Sequence, residues 1–306
     1  MTEHDGTARM KIWLNGQLCD RTDARLNVLD AGVQHGVGLF ETMLARDGAV
    51  IRLDQHLARL ETSAQQLGLA DALRVDPLGE AVLDTLAANG MRDARIRLTV
   101  TGGDLGLPWT RTPADREREV RSPTIIIVAQ PPTDYPEELF ARGVAATVSA
   151  SRHSTSDRFL GHKSLWYWPR IEALGHAARV GCTESLWFST AGFLASGSVS
   201  NVFLVKDGVL STPIARGDDE AMDGEITLMQ PVLPGCTRMA VMEWALSQGT
   251  RVRIRNLTID DVVAADEVFV TNSSWGVLPV VRVDESIIGN GKPGACAISM
   301  RECWLA

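Results

Sequence analysis

The sequence has no run of lysines or arginines, and its formal net charge is −8 over 306 residues. That balance argues against nucleic acid or an anionic membrane as a partner. No window approaches the ~18 consecutive apolar residues of a membrane-spanning helix. The opening MTEHDGTARM is acidic and lacks an apolar core, so neither a signal peptide nor an anchor is expected there. The five cysteines, Cys19, Cys182, Cys236, Cys296 and Cys303, are odd in number and form no CxxC. A disulfide framework and a Cys/His zinc site are therefore both unsupported, no metal is expected, and reduced thiols in a cytoplasm fit better. No internal repeat is present. Strands and helices do not alternate regularly, which argues against a Rossmann sheet.

What remains is an ordinary soluble composition, 45% hydrophobic and 22% charged. Three two-residue turns stand out between apolar runs: WLNGQL (13–18), ARDGAV (45–50) and VKDGVL (205–210). Asn-Gly and Asp-Gly are the strongest short hairpin signals, because both central positions need positive φ. Strand-like runs fall at 39–45, 94–100, 124–130, 184–190, 202–206 and 267–272. Helical spacing places Leu57, Leu60, Ala64 and Leu67 on one face of 54–69, with Asp54 as the expected cap. Further helices are expected over 76–89, 169–180 and 237–248, with Pro169 in a first turn and Gly181 as a stop. The proline-rich stretch AQPPTDYPEEL (129–139) reads as a linker between an N-terminal part (1–128) and a larger C-terminal part (140–306), both α+β. Segment 215–230, ARGDDEAMDGEITLMQ, is acidic and unpatterned and reads as an exposed loop.

Residues 161–170, GHKSLWYWPR, set Lys163 among two tryptophans, a tyrosine and a leucine. One reading is a snorkelling lysine, its stem on the rings and its head in water. The other is a desolvated amine of lowered pKa, able to form a Schiff base. Schiff-base lysines commonly serve pyridoxal phosphate, whose phosphate, ring nitrogen and ring face make further demands. LPGCTR (233–238) answers the first: a Pro-Gly turn enters a helix whose expected cap is Thr237, and helix N-termini seat anions. It is also an ordinary helix start. GSVSN (197–201), small and polar between two strands, offers a second close approach of backbone.

These pieces occur in a longer ordered series: WLNG (13–16), LDAGVQHGVGLFETM (29–43), RLDQHLARLETSAQQLGL (52–69), HKSLWYW (162–168), GSVSNVFLV (197–205), LPGCTR (233–238) and ADEVFVTNSSWGVLPV (265–280). The series resembles the class IV, or fold type IV, pyridoxal-phosphate enzymes, the family of branched-chain and D-amino-acid aminotransferases and aminodeoxychorismate lyase. The resemblance implies an α+β fold of two domains, a smaller N-terminal α/β sandwich and a larger C-terminal pseudo-barrel. It implies pyridoxal 5'-phosphate as cofactor, an amino donor and a keto acid as substrates, and a homodimer with the site between the domains. By the same resemblance Lys163 forms the internal aldimine and shuttles the proton between the substrate α carbon and the cofactor C4′. Arg59 matches the arginine that pairs with the phosphate, Cys236 and Thr237 the phosphate turn, and Ser273 a distal phosphate hydroxyl. Ser198 in the GSVSN stretch belongs with the cofactor-binding residues, and Tyr167 is a partner for the ring hydroxyl or a core aromatic. His56 reads as packing or a local hydrogen bond.

The chain also departs from the family. Where relatives have a glutamate that bonds the pyridine nitrogen, FLASGSVSN has Ser196. A carboxylate keeps that nitrogen protonated, whereas a serine hydroxyl donates one neutral hydrogen bond to an unprotonated nitrogen. If ~3 kcal/mol of carbanion stabilisation were lost, the rate would fall about a hundredfold. Another acid, such as Glu184 or one from segment 215–230, is the alternative. Val37 in HGVGLFE, Gly102 in TVTGG and a long loop before LPGCTR are further departures on the expected substrate side. Three functions follow: an aminotransferase first, a lyase of the aminodeoxychorismate type second, and a weakly active or non-catalytic protein of the same fold third.

Overall fold

A computed structural model describes residues 10–69, 73–103, 123–218 and 232–305. Of the acidic segment 215–230, residues 219–230 lie outside the described residues. The chain forms two compact units: one of residues 1–133 with Lys163–Trp166, the other of Asp134–His162 with Tyr167–Ala306.

In the first unit the elements are β1 (Lys11–Leu14), β2 (Gln17–Asp20), α1 (Ala31–His35), β3 (Gly38–Arg46), β4 (Ala49–Val50), α2 (Leu53–Gln66), α3 (Val75–Ala88), β5 (Ala94–Thr101) and β6 (Ile125–Gln130). The strands form one sheet in the order β2-β1-β6-β5-β3-β4, and every pairing is antiparallel. Period-two alternation puts Leu39, Met43, Ile96, Leu98 and Ile127 on one face, against Leu57, Leu60 and Ala64 of α2 and Leu78, Val82 and Leu86 of α3. Leu60 is almost wholly buried there, so truncating it would cost about 3 kcal/mol. Helix α2 begins earlier than its sequence suggests. Arg52, in the left-handed region at φ 55°, makes the entry without a side-chain cap, so Asp54 sits in the first turn instead of capping it.

The expected Asn-Gly and Asp-Gly turns are present, with positive φ at Asn15 and Gly16, Asp47 and Gly48, and Asp207 and Gly208. The edge of β3 beyond β4 is completed from far along the chain. Phe40 N–H donates to Lys163 O at 2.9 Å, Leu165 N–H to Gly38 O at 2.9 Å, and Leu39 bridges Ser164. This short return belongs to the first unit because its backbone hydrogen bonds are made there.

The second unit contains α4 (Glu137–Arg142), β7 (Val144–His153), α5 (Trp168–Arg179), β8 (Glu184–Ser189), β9 (Leu194–Gly197), β10 (Asn201–Lys206) and β11 (Val209–Thr212). It continues with α6 (Cys236–Ser247), β12 (Arg251–Ile254), α7 (Ile259–Val263), β13 (Glu267–Asn272), β14 (Gly276–Val283), β15 (Ser286–Ile287) and α8 (Ala295–Leu305). Its nine strands make a mixed sheet in the order β12-β11-β10-β13-β14-β7-β8-β9, with β15 on β14. Three pairings are parallel: β11–β12, β14–β7 and β7–β8. Strands β8, β9 and β10 are buried almost throughout, which fits their continuous apolar or small-residue sequences. Pro169 lies in the first turn of α5, and Gly181, at φ 74°, follows its last residues as expected.

Two polar ties hold the ends of the acidic segment. Arg216 N–H donates to Val232 O at 3.0 Å, and Arg238 of α6, fully buried, pairs with Asp218 at 2.6 Å. Arg238 also donates to Pro213 O and Thr212 Oγ1, so its charge is satisfied in the interior. Among the described residues, no helix is long and apolar enough to cross a membrane, and no cluster of three or more His, Cys, Asp or Glu could hold a metal.

Candidate active site

Lys163 sits in the short return to β3, half-buried, with Nζ 4.5 Å from the centroid of the Phe40 ring. The guanidinium of Arg97 lies over the same ring at 3.3 Å. Phe40, remote in the sequence, is thus an aromatic neighbour of the lysine. The tryptophans beside it in sequence, Trp166 and Trp168, are 63% and 80% exposed.

Arg59 lies on α2, one turn after His56, and both reach Glu41 on the core face of β3. Arg59 Nε donates to Glu41 Oε1 at 2.9 Å and Nη2 to Oε2 at 2.5 Å, a two-point grip. His56 Nδ1 is 2.7 Å from Glu41 Oε2. A carboxylate can only accept, so that nitrogen carries the hydrogen. Burial alone would raise the pKa of Glu41, but the charge of Arg59 and the bonds from His56 and Arg59 prevail and lower it to about 2. His56 therefore takes the local hydrogen bond expected of it. Glu41 escaped the sequence reading, although its period-two register with Leu39 and Met43 marks it as an acid on an inward face.

The second unit gathers most of the remaining candidates around the GSVSN stretch. Glu184, fully buried at the start of β8, binds this loop with both oxygens. Oε1 accepts from Ser185 N–H at 2.8 Å and Ser198 N–H at 2.9 Å, and Oε2 accepts from Ser200 Oγ at 2.7 Å and Val199 N–H at 3.4 Å. Burial pushes its pKa up against these four donors. Glu184 is thus taken up in shaping the loop. Gly197 is required there, because a Cβ at that position would overlap Ser200 Oγ and the Glu184 carboxylate.

Two asparagines carry the loop to its neighbours. Asn201 donates to Leu233 O at 2.9 Å, and its side chain fills the space that a Cβ on Gly235 would need. Asn272 donates to Val199 O at 3.3 Å, while its Oδ1 accepts from Ser274 and Trp275 N–H and so shapes the turn containing Ser273. In this way the stretch holding Ser198 is tied to the chain just before Cys236 and Thr237 and to the turn containing Ser273. Tyr167 precedes α5 as its N-cap residue, with its ring 5.7 Å from the Arg170 guanidinium carbon.

The start of α6 differs from expectation in one respect. Gly235 is the N-cap, extended at φ −71° and ψ 136°, and Thr237 lies inside the first turn. No side chain caps the helix, and Thr237 Oγ1 is buried without a hydrogen-bond partner. Thr271 Oγ1, buried and likewise unpartnered, is on the residue directly across the sheet from Asn201. Leaving a buried hydroxyl unsatisfied costs about 1–3 kcal/mol, and an uncapped helix start draws negative charge. A bound phosphate would accept from Thr237 at this uncapped helix start, so the turn fits a phosphorylated cofactor.

Ser196 lies on β9 opposite Trp187 of β8, and both are buried. Its Oγ is 3.2 Å from Arg170 Nη1, which also donates to Gly197 O and Ser198 O at 3.1 Å each. Trp187 donates from Nε1 to Ser198 Oγ at 3.0 Å and stacks on His153 at 4.5 Å. Burial, reinforced by the charge of Arg170, lowers the pKa of His153 to about 3. His162, just before the lysine in sequence, is held down to about 4 by burial and by Arg216 and Arg158. Arg170 and His153 were not read from sequence: an arginine in an amphipathic helix and a histidine ending a strand carry no local signature.

The family model for class IV amino-transferases matches residues 38–283. A putative branched-chain-amino-acid aminotransferase of Methanocaldococcus jannaschii is 35% identical over 296 residues, covering 96% of this chain and 94% of that protein. The crystal structure of the Escherichia coli branched-chain amino acid aminotransferase superposes with a TM-score of 0.84 at 28% identity, over 96% of this chain and 93% of that one. The T.th. branched-chain amino acid aminotransferase with pyridoxamine 5'-phosphate gives 0.83 at 27% identity, over 96% and 92%. The 4-amino-4-deoxychorismate lyase of Pseudomonas aeruginosa gives 0.79 at 28% identity, over 95% and 97%.

Proposed function

The chain belongs to the class IV aminotransferases, enzymes of fold type IV that use pyridoxal 5'-phosphate, and on that premise we propose that it moves the amino group of an aliphatic, branched-chain type α-amino acid onto a keto acid. Its likeness to branched-chain amino acid aminotransferases supports the substrate class. The observation that carries the reading is the buried, unpartnered Thr237 Oγ1 in the uncapped first turn of α6. An interior hydroxyl left without a partner is explained by a ligand that supplies one.

When bound, the cofactor supplies the aldehyde that takes up the amino group and the ring that accepts electrons from the substrate α carbon. Lys163 Nζ would hold the cofactor's aldehyde and would move the proton released from the substrate α carbon. Cys236, Thr237, Ser273 and Arg59 would hold the phosphate. Glu41 and His56 fix the Arg59 guanidinium in one orientation, which lowers the entropic cost of binding. Ser196 would hold the ring nitrogen, Ser198 would bind the cofactor from the GSVSN stretch, and Tyr167 would hold the ring hydroxyl. We assign the working form to a homodimer in the cytoplasm, the latter in keeping with five cysteines and no disulfide among the described residues.

Absorption spectroscopy tests the cofactor assignment. The purified chain incubated with pyridoxal phosphate is expected to show a visible band that borohydride fixes, and Lys163→Ala is expected to show none. An equal band in the variant would overturn the role of Lys163. Transfer of labelled nitrogen from leucine, isoleucine or valine to a keto acid then checks the reaction. The likeness to the Pseudomonas lyase favours a second reading, in which the same site releases pyruvate from an aminodeoxychorismate-like substrate. Pyruvate formation without nitrogen transfer would select it.

A further inference from the structure

Arg170 is the third residue of α5, a helix that runs from Trp168 to Arg179. A cation in the first turn meets the positive end of the helix dipole, an unfavourable placement that needs compensation. Its compensation is a fan of three acceptors on one nitrogen: Ser196 Oγ, Gly197 O and Ser198 O, all between 3.1 and 3.2 Å from Nη1. The guanidinium carbon is also 6.0 Å from the centroid of the Trp187 ring. This positive charge is thus anchored to the strand end that carries Ser196.

The direction of the hydrogen bond sets what Ser196 can do. A guanidinium only donates, so Ser196 Oγ accepts from Arg170 and keeps its own hydrogen for another acceptor. The neighbouring groups do not reverse this polarity. Glu184, the buried carboxylate of this loop, is turned toward Ser185, Ser198, Val199 and Ser200. His153, stacked behind Trp187, is kept neutral by its burial and by Arg170 itself.

Resting on the cofactor assignment above, we propose that Arg170 and Ser196 act as a pair on the cofactor's ring nitrogen and hold it unprotonated. Arg170 supplies the positive charge that opposes protonation, and Ser196 Oγ–H donates to the nitrogen's lone pair. Arg170 is a positioning residue here, acting through the serine. The pair makes the ring a weaker electron acceptor than a carboxylate partner would, so proton movement at the substrate α carbon depends more heavily on Lys163.

Nitrogen NMR of the full-length protein loaded with pyridoxal phosphate, labelled with 15N in the ring, tests the pair without recourse to turnover. The free cofactor, titrated from acid to base, supplies the two reference shifts. In the wild-type chain at neutral pH the bound signal is expected at the unprotonated reference; a signal at the protonated reference overturns the proposal. In Arg170→Gln, which keeps a hydrogen-bond donor and removes the charge, protonation is expected about one pH unit higher or more. An unchanged titration in a folded, cofactor-loaded variant overturns the part assigned to Arg170. The wild-type measurement stands alone if that variant fails to fold. Absence of cofactor uptake by the wild-type chain overturns this inference and the functional reading together, whereas a protonated bound nitrogen removes only the former.

Discussion

Glu41 carries a full charge in an interior that water does not reach, and Arg59 and His56 sustain it there. Removing one partner of such a group leaves the other buried and unpaired, which costs about 3–5 kcal/mol. Glu41→Gln is therefore expected to lower the melting temperature by several degrees. The dependence on pH has a definite sign. The folded value of about 2 lies below the ordinary 4.5, so the stabilisation from Glu41 is complete above about pH 4.5 and is lost as the pH falls toward 2. Melting curves of wild type and Glu41→Gln should therefore converge as the solution is acidified through that window. Parallel curves would show that the cluster does not stabilise the fold through its charge.

Thr237 gives a complementary test. Because its hydroxyl has no partner in the protein, Thr237→Val should leave thermal stability without ligand unchanged or slightly raised. The affinity for pyridoxal phosphate should fall about tenfold, the worth of one hydrogen bond to a charged group. Equilibrium dialysis beside calorimetry separates the two effects, and a loss of stability with unchanged affinity would refute the phosphate assignment.

At the scale of elements, Asp30 is a junction. It caps α1 through Gly32 N–H at 2.7 Å, and its other oxygen accepts from Thr101 Oγ1 at the end of β5 and from Thr124 Oγ1 just before β6, both at 2.7 Å. Asp30→Ala removes a helix cap and strands two hydroxyls, so a loss of about 2–4 kcal/mol is expected in denaturant unfolding. Replacement by asparagine should recover part of this, since its single carbonyl oxygen can still cap.

Elements were also the scale at which the sequence was most readable. The Asn-Gly and Asp-Gly hairpins announced themselves because few other residue pairs adopt two successive positive φ angles. The hairpin at Asp284-Glu285, between Val283 and Ser286, went unread because it has no glycine. Strand β7 was missed for a different reason: small and polar residues in VAATVSASRH dilute its alternation. At the site, the LPGCTR turn and Lys163 stood out through the resemblance, since short local motifs carry them. Arg170 on Ser196 and Glu41 under Arg59 join residues 26 and 18 positions apart, and only the fold reveals such pairings.

For the whole molecule, the path of the chain matters as much as its composition. The first unit is not one continuous stretch, because residues Lys163–Trp166 return to it after the second has begun. A fragment ending at Thr133 would keep the β3–β5 ladder but lose the backbone partners of Gly38 and Phe40. An exposed strand edge templates association with other chains. Light scattering is expected to show self-association of this fragment at concentrations where the full chain stays clear. A monodisperse fragment would show that the returning segment is dispensable for the first unit.

The tie between Arg216 and Val232, reinforced by Arg238 on Asp218, closes the acidic segment at its base. A flexible chain strung between two fixed posts loses entropy only as the logarithm of its length, so doubling it costs about 0.6 kcal/mol. Protein engineers thus have two defined posts, Arg216 with Asp218 and Val232 with Arg238, between which a designed linker could be strung in place of residues 219–231.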